Sequence, residues 1–218
     1  MTPGEPLIRW DWVLSHLGDV GQRLGEHLLL TGLAVGIGCL LSLVLAVQII
    51  RRPRLYGPIL GAAGVLYTIP SLALFALLVP ITGLSLLTAQ IGLVSYTLLF
   101  LIRNAVDGVR YVPADVREAA IAMGYTPRQL LWRVELPLAL PVIIAGIRVA
   151  TVSTIGLTTV TALIGQGGLG YFILEGLQRF FSTPLIVGAV LSVALAVLAD
   201  GALVLVQRWA TPWARWSA

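Results

Sequence analysis

The chain has 218 residues, of which 58% are hydrophobic and 11% are charged, and this excludes a water-soluble domain, in which about 25% of residues are charged. All fourteen basic residues are arginines that lie between long apolar runs, an arrangement that excludes a nucleic-acid-binding surface despite the net charge of +4. One cysteine and two histidines cannot form a disulfide framework, a zinc site or a Cys/His catalytic pair, so we expect no catalytic residues and no metal.

Five apolar runs are long enough to cross a bilayer as helices, which takes about 20 residues each. They cover residues 28–49, 57–80, 84–102, 138–160 and 185–206. The sequence therefore predicts an all-α integral membrane protein with about five transmembrane helices in one domain over residues 1–218.

The second run contains Pro70 and Pro80, which lack a backbone donor, so we expect a kink or break between Thr68 and Ser71. Two interpretations of this break stay open. It is either a packing kink or a bend beside a transport pathway, and the second makes Pro70 and Ser71 pathway candidates.

Most arginines outside the runs fall on one side of the predicted membrane. They are Arg51, Arg52, Arg54, Arg103, Arg110, Arg117, Arg128, Arg133, Arg208 and Arg215. Because cytoplasmic loops carry the excess of basic residues, we expect the N-terminus outside and the C-terminus in the cytoplasm.

The connector at residues 103–137 has the signals of two short helices. Asp115 is predicted to cap the first in a capping box with Glu118, and Gly124 suits its left-handed end. Thr126 is predicted to cap the second, with Pro127 as its first residue. Such a hairpin is either an ordinary helical loop or an element that transmits force to the spans.

The residues of the connector favour the second alternative. Glu118-Ala119-Ala120, followed by Gly124, Val134 and Leu136-Pro137, resembles the EAA loop of bacterial ABC import permeases, with Val134 where the family usually has isoleucine. The resemblance implies a coupling element that docks on a cytoplasmic ATPase through Glu118, Ala119, Ala120, Gly124 and Pro137. It also implies a permease of the bacterial cytoplasmic (inner) membrane, which is not itself an enzyme. The implied partners are ATPase subunits that hold ATP and magnesium, a second permease subunit and an extracytoplasmic substrate-binding protein, while this chain holds no cofactor.

Two further stretches of sequence indicate which branch of the ABC import permeases the chain resembles. Residues 68–74 and 162–170 are similar to the osmoprotectant branch, which imports glycine betaine, choline or carnitine. Methionine permeases share the second stretch, so a permease for methionine or another amino acid is the alternative.

Gly165, Gly167 and Gly170 also fit the G-x-G-x-x-G pattern of dinucleotide sites, but that motif needs a preceding strand and an acidic residue about 20 positions later. The segment follows a predicted span, so we interpret it as a glycine-rich turn or re-entrant element. By resemblance, Gly165, Gly167, Gly168 and Gly170 lie near an external gate.

Arg148 and Asp200 are the only charged residues within the predicted spans, at similar depths. Because a lone charge there is costly, we predict an ion pair that faces the protein interior. The alternative is that Asp200 reaches the cytoplasmic interface while Arg148 lines a pathway alone. A secondary transporter or channel, the rival class, needs more intramembrane polar groups than these two.

Overall fold

The computed structural model describes residues 6–216, and side chains up to Ala214. This part of the chain contains helices and no strands, which confirms the predicted all-α class. The α-helices are α1 (Trp10–Ser15), α2 (Leu17–Arg51), α3 (Tyr56–Thr68), α4 (Ser71–Thr82), α5 (Leu86–Arg110), α6 (Ala114–Ala122), α7 (Pro127–Leu130), α8 (Leu136–Thr158), α9 (Gly170–Arg179) and α10 (Ser182–Ala210). Short helical turns cover Pro53–Leu55, Leu131–Glu135, Val160–Ile164 and Pro212–Trp216.

Four helices are long and apolar enough to cross a membrane: α2, α5, α10 and the continuous helix Pro127–Thr158, which comprises α7, the turn Leu131–Glu135 and α8. The fifth candidate span is a bent pair, in which α3 and α4 meet at 96°. Both α2 and α5 are longer than their apolar runs, because polar turns extend α2 back to Leu17 and α5 onward to Arg110. The connector is therefore shorter than predicted, since eight residues assigned to it belong to α5.

The bend between α3 and α4 lies at Ile69 and Pro70, within the predicted break. Both residues have extended backbone angles, and Pro70 has no amide hydrogen to continue the helix. The hydroxyl of Tyr96 on α5 donates to the carbonyl oxygen of Ile69, so a carbonyl freed by the break keeps a partner. The ring of Tyr67 packs against Tyr96, with 5.8 Å between the ring centres.

Helix α5 is the centre of the bundle and packs between α2 and α8. Two apolar clusters lie along it. One joins α2, α4 and α5 around Phe75 and Leu93, and the other joins α2, α3 and α5 around Ile49 and Ile102. The bent pair thus follows α5 along its whole length, with α3 beside one half and α4 beside the other. We call the end that carries α6 and α7 the connector end, and the other the opposite end.

Candidate functional sites at the two ends of the bundle

Helix α6 and helix α7 form the hairpin that the sequence predicts at the connector end. Gly124 follows α6 with a φ of +84°, a conformation that glycine adopts without a steric penalty. Thr126 caps α7 in a reciprocal box with Gln129, and Pro127 is the first helical residue, as predicted. The predicted cap at Asp115 is wrong. Pro113 precedes the first helical residue, so Asp115 lies inside the first turn and makes no capping hydrogen bond.

An ion pair fixes α6 to the spans on both sides of it. Arg117 Nε lies 3.0 Å from Glu135 Oε1, and another nitrogen of the same guanidinium donates to the carbonyl oxygen of Val109. Glu135 is buried at the start of α8, and Val109 belongs to the last turn of α5. Arg117 therefore ties α6 to the ends of both α5 and α8. Sequence reasoning missed this pair, although an acidic residue directly before an apolar span was a usable signal.

The residues assigned to docking do not all face outward. Glu118, Ala119 and Gly124 are exposed and Pro137 is half-buried, but Ala120 is only 2% exposed. Ala120 therefore packs α6 onto the bundle, because its side of the helix is the inner one, and it is not part of the outer surface. Four exposed apolar side chains belong to the same outer surface: Tyr111, Ile121, Met123 and Trp132. We call this surface, together with Glu118, Ala119 and Gly124, the connector face.

At the opposite end the four predicted glycines form a turn between the short helix Val160–Ile164 and α9. Gly165 and Gly168 have φ angles of +74° and +58°. Gly170 starts α9 so close to the preceding segment that a Cβ there would lie 2.1 Å from the carbonyl oxygen of Thr159. A helix precedes the turn, as expected, so the structural context of a dinucleotide-binding motif is missing from these residues.

Polar side chains of α2 hold this turn, a contact that the sequence did not predict. The Gly168 amide donates to Glu26 Oε2 at 3.2 Å, and the Leu169 amide donates to His27 Nδ1 at 3.2 Å. Arg23 pairs with Glu26 at 2.9 Å and lies over the ring of Tyr171, 4.1 Å from its centre. The only local signal is the spacing of Arg23, Glu26 and His27, which puts them on one helix face.

Arg148 and Asp200 meet between α8 and α10. Their contact is bidentate, with Nε to Oδ1 at 2.8 Å and Nη2 to Oδ2 at 2.9 Å. Gln207 Oε1 lies 3.4 Å from Arg148 Nη1. The predicted interior location is wrong, because α10 packs at the edge of the bundle and leaves the two side chains 30% and 37% exposed.

Known proteins share this arrangement. Residues 38–211 match the family model described as "Binding-protein-dependent transport system inner membrane component". The osmoprotectant import permease protein OsmW of Salmonella typhimurium is 39% identical over 206 residues, which cover 92% of this chain and 96% of that protein. The choline transport system permease protein OpuBB of Bacillus subtilis is 36% identical over 195 residues, which cover 89% of this chain and 90% of that one.

Solved structures agree with these matches. An inward-facing methionine ABC transporter, MetNI, superposes with a TM-score of 0.77 at 25% identity, over 86% of this chain and 94% of that one. An amino acid ABC transporter solved with histidines shares the fold, with a TM-score of 0.77 at 18% identity over 92% and 98% of the two chains. The bundle is thus that of an ABC importer permease. The chain belongs to the family of binding-protein-dependent transport system inner membrane components.

Proposed function

We propose that this permease imports a quaternary amine such as glycine betaine, choline or carnitine. The support is the full-length similarity to permeases whose names specify osmoprotectants and choline. This chain forms one half of a permease dimer, homomeric or heteromeric. An extracytoplasmic binding protein supplies the dimer with substrate. ATP and magnesium bind to the ATPase partners, and capture of the cation is left to an aromatic cage in the binding protein.

The connector face is the proposed ATPase contact, and one observation carries this part of the proposal. Helix α6 is exposed on its outer side, while Arg117 joins its inner side to the ends of α5 and α8. An ATPase that pushes on Glu118, Ala119 or Met123 would move both spans together. Gly124 keeps the hairpin tight, and Ala120 supports it from within.

Replacing Gly124 by valine is expected to uncouple transport from ATP hydrolysis. A β-branched residue at positive φ costs on the order of 1–3 kcal/mol, so the hairpin would change its shape while the spans still insert. The control is Gly124→Asn, because asparagine tolerates this conformation. We expect normal amounts of the valine variant in the membrane, with uptake and substrate-stimulated ATPase activity largely lost. Wild-type coupling in Gly124→Val would refute the docking assignment.

The proposed orientation has the connector end in the cytoplasm and the N-terminus outside. The excess of arginine at the connector end supports it. A cysteine introduced at Arg128, in a chain whose Cys39 is replaced by serine, is expected to resist an impermeant maleimide in intact cells. It should react after the membrane is opened. Labelling in intact cells would reverse the orientation.

One alternative has support of its own. The methionine transporter structure, at 25% identity over most of both chains, favours a permease for methionine or another amino acid. A secondary transporter or channel, which would need no ATPase, has no such support. Competition for uptake separates the quaternary-amine permease from the amino-acid permease. Excess glycine betaine, choline or carnitine should block transport of the substrate, whereas excess methionine should not. Inhibition by methionine alone would favour the amino-acid alternative.

A further inference from the structure

His27 connects α2 to two other elements through both nitrogens of its ring. Its side chain is fully buried, with Nδ1 at 3.2 Å from the Leu169 amide nitrogen and Nε2 at 3.0 Å from the Ile155 carbonyl oxygen. A backbone amide only donates and a carbonyl only accepts. Nδ1 is therefore the acceptor and Nε2 carries the proton, so His27 is a neutral imidazole in one tautomer.

Glu26 makes the second bond from α2 to the glycine-rich turn. Its Oε2 accepts from the Gly168 amide at 3.2 Å and from Arg23 Nη1 at 2.9 Å. The same guanidinium covers the ring of Tyr171 in the first turn of α9. One charged pair thus holds both the turn and the start of α9 against α2.

Residues 165–168 of the turn have almost no side chains with which to pack, although Gln166 is bonded to the buried Thr161 through its amide and through its carbonyl oxygen. Residues 165, 167 and 168 are glycines, and a Cβ at Gly167 would come 2.5 Å from Arg23 Nη1. At Gly168 it would come 3.0 Å from His27 Nδ1. The backbone of this segment therefore lies directly on polar groups of α2. Hydrogen bonds of this kind break and form again without exposing an apolar core.

The end of the turn towards α9 is anchored differently. Leu169 is fully buried, and Gly170 lies against the backbone of Thr159, which leaves no room for a side chain. Gly165 and Gly168, with their positive φ angles, bound the segment between this anchor and the preceding helical turn. The peptide bond between Gly168 and Leu169 can thus turn its amide away from His27, and residues 165–168 can leave α2, while the Leu169 side chain and Gly170 stay in place.

We propose that Glu26 and His27 are positioning residues that latch the glycine-rich turn closed against α2, and that the turn leaves them when the permease opens at the opposite end. The inference rests on the proposed function, because an opening step belongs to a transport cycle. It adds to that function two residues on α2 that touch the turn rather than the substrate.

The test measures how readily the turn opens in the resting complex. Gln166, half-buried within the turn, is replaced by cysteine in a chain with Cys39→Ser, so that residue 166 carries the only thiol of this subunit. The permease is purified in detergent together with its ATPase and binding protein. The rate of reaction with a maleimide is measured without nucleotide and without substrate, and the melting temperature of each variant is recorded.

Two substitutions of His27 separate the bond to the turn from the bond to α8. The amide oxygen of asparagine takes the place of Nδ1 and can still accept from Leu169, whereas the amide nitrogen of glutamine takes the place of Nε2 and can still donate to Ile155. We expect His27→Gln to speed labelling about tenfold, the factor that corresponds to the loss of one buried hydrogen bond. His27→Asn should label like the wild type. Equal labelling rates in the two variants, whether raised or unchanged, would overturn the latch, because a packing role affects both alike.

Glu26 provides an independent pair of variants. Glu26→Gln keeps an oxygen for the Gly168 amide, so its labelling rate should stay close to that of the chain with Glu26. Glu26→Ala removes the acceptor, so its labelling rate should rise. Unchanged labelling in Glu26→Ala would also refute the proposal. The labelling measurement uses no substrate, so it tests the latch alone. The proposed function would fail separately, if the unmodified complex showed no ATP-dependent uptake.

Discussion

Replacing Gly170 by alanine is expected to destabilise the permease strongly and to lower the amount of assembled complex. The added Cβ would lie 2.1 Å from the carbonyl oxygen of Thr159 and 2.6 Å from its Cα, and both are backbone atoms that no change of rotamer can move. Overpacking of a core usually costs about 1–3 kcal/mol, and an overlap with backbone should reach the upper end of that range. The measurement is the amount and melting temperature of the complex purified in detergent.

Gly156 provides the matched control. It lies inside α8, and a Cβ there would meet no other atom within 4 Å. Because alanine is the better helix former by up to about 1 kcal/mol, Gly156→Ala should melt at or above the temperature of the wild type. If Gly170→Ala also melts with the wild type, the close approach of α9 to Thr159 is not a feature of the folded protein.

The ion pair between Arg148 and Asp200 leads to the second large expected effect. Arg148→Met removes the cation that pairs with the carboxylate of Asp200, so assembly and uptake should fall. Asp200→Asn should be milder, because Arg148 keeps Gln207 as an acceptor. The double variant should recover much of the loss of Arg148→Met, since no uncompensated charge is left.

A double-mutant cycle on the yield of assembled complex and on the initial rate of uptake tests this coupling. Strictly additive losses would show that the contact contributes nothing to assembly or transport. In that case Arg148 would be the better candidate for a pathway residue.

Patterns within short stretches of sequence predicted much of the fold. The apolar runs gave the spans, and Pro70 gave the position of the bend. Gly124 and Thr126 gave the shape of the connector hairpin, because a left-handed residue and a helix cap depend only on their neighbours. The ends of α2 and α5 could not be predicted from hydropathy, since both helices continue into polar turns outside the apolar runs.

The missed features depend on contacts between residues far apart in the chain. Glu26 and His27 meet the glycine-rich turn across 142 positions, and nothing near them in the sequence indicates that partner. The inward side of Ala120 follows from the position of α6 on the bundle rather than from its own helical pattern. Likewise, the depth of Arg148 and Asp200 could be counted along the spans, but the location of α10 at the edge of the bundle could not.

If this permease is driven by ATP, uptake by proteoliposomes must depend on ATP hydrolysis by its partner ATPase. The permease is reconstituted with its ATPase and binding protein, and uptake of radiolabelled glycine betaine, choline or carnitine is followed with an ionophore present to remove ion gradients. We expect uptake that requires ATP and magnesium on the side of the connector face and that stops when the ATPase is inactivated. Uptake that needs no ATP and follows an imposed ion gradient would contradict the ATP-driven mechanism and identify a secondary transporter.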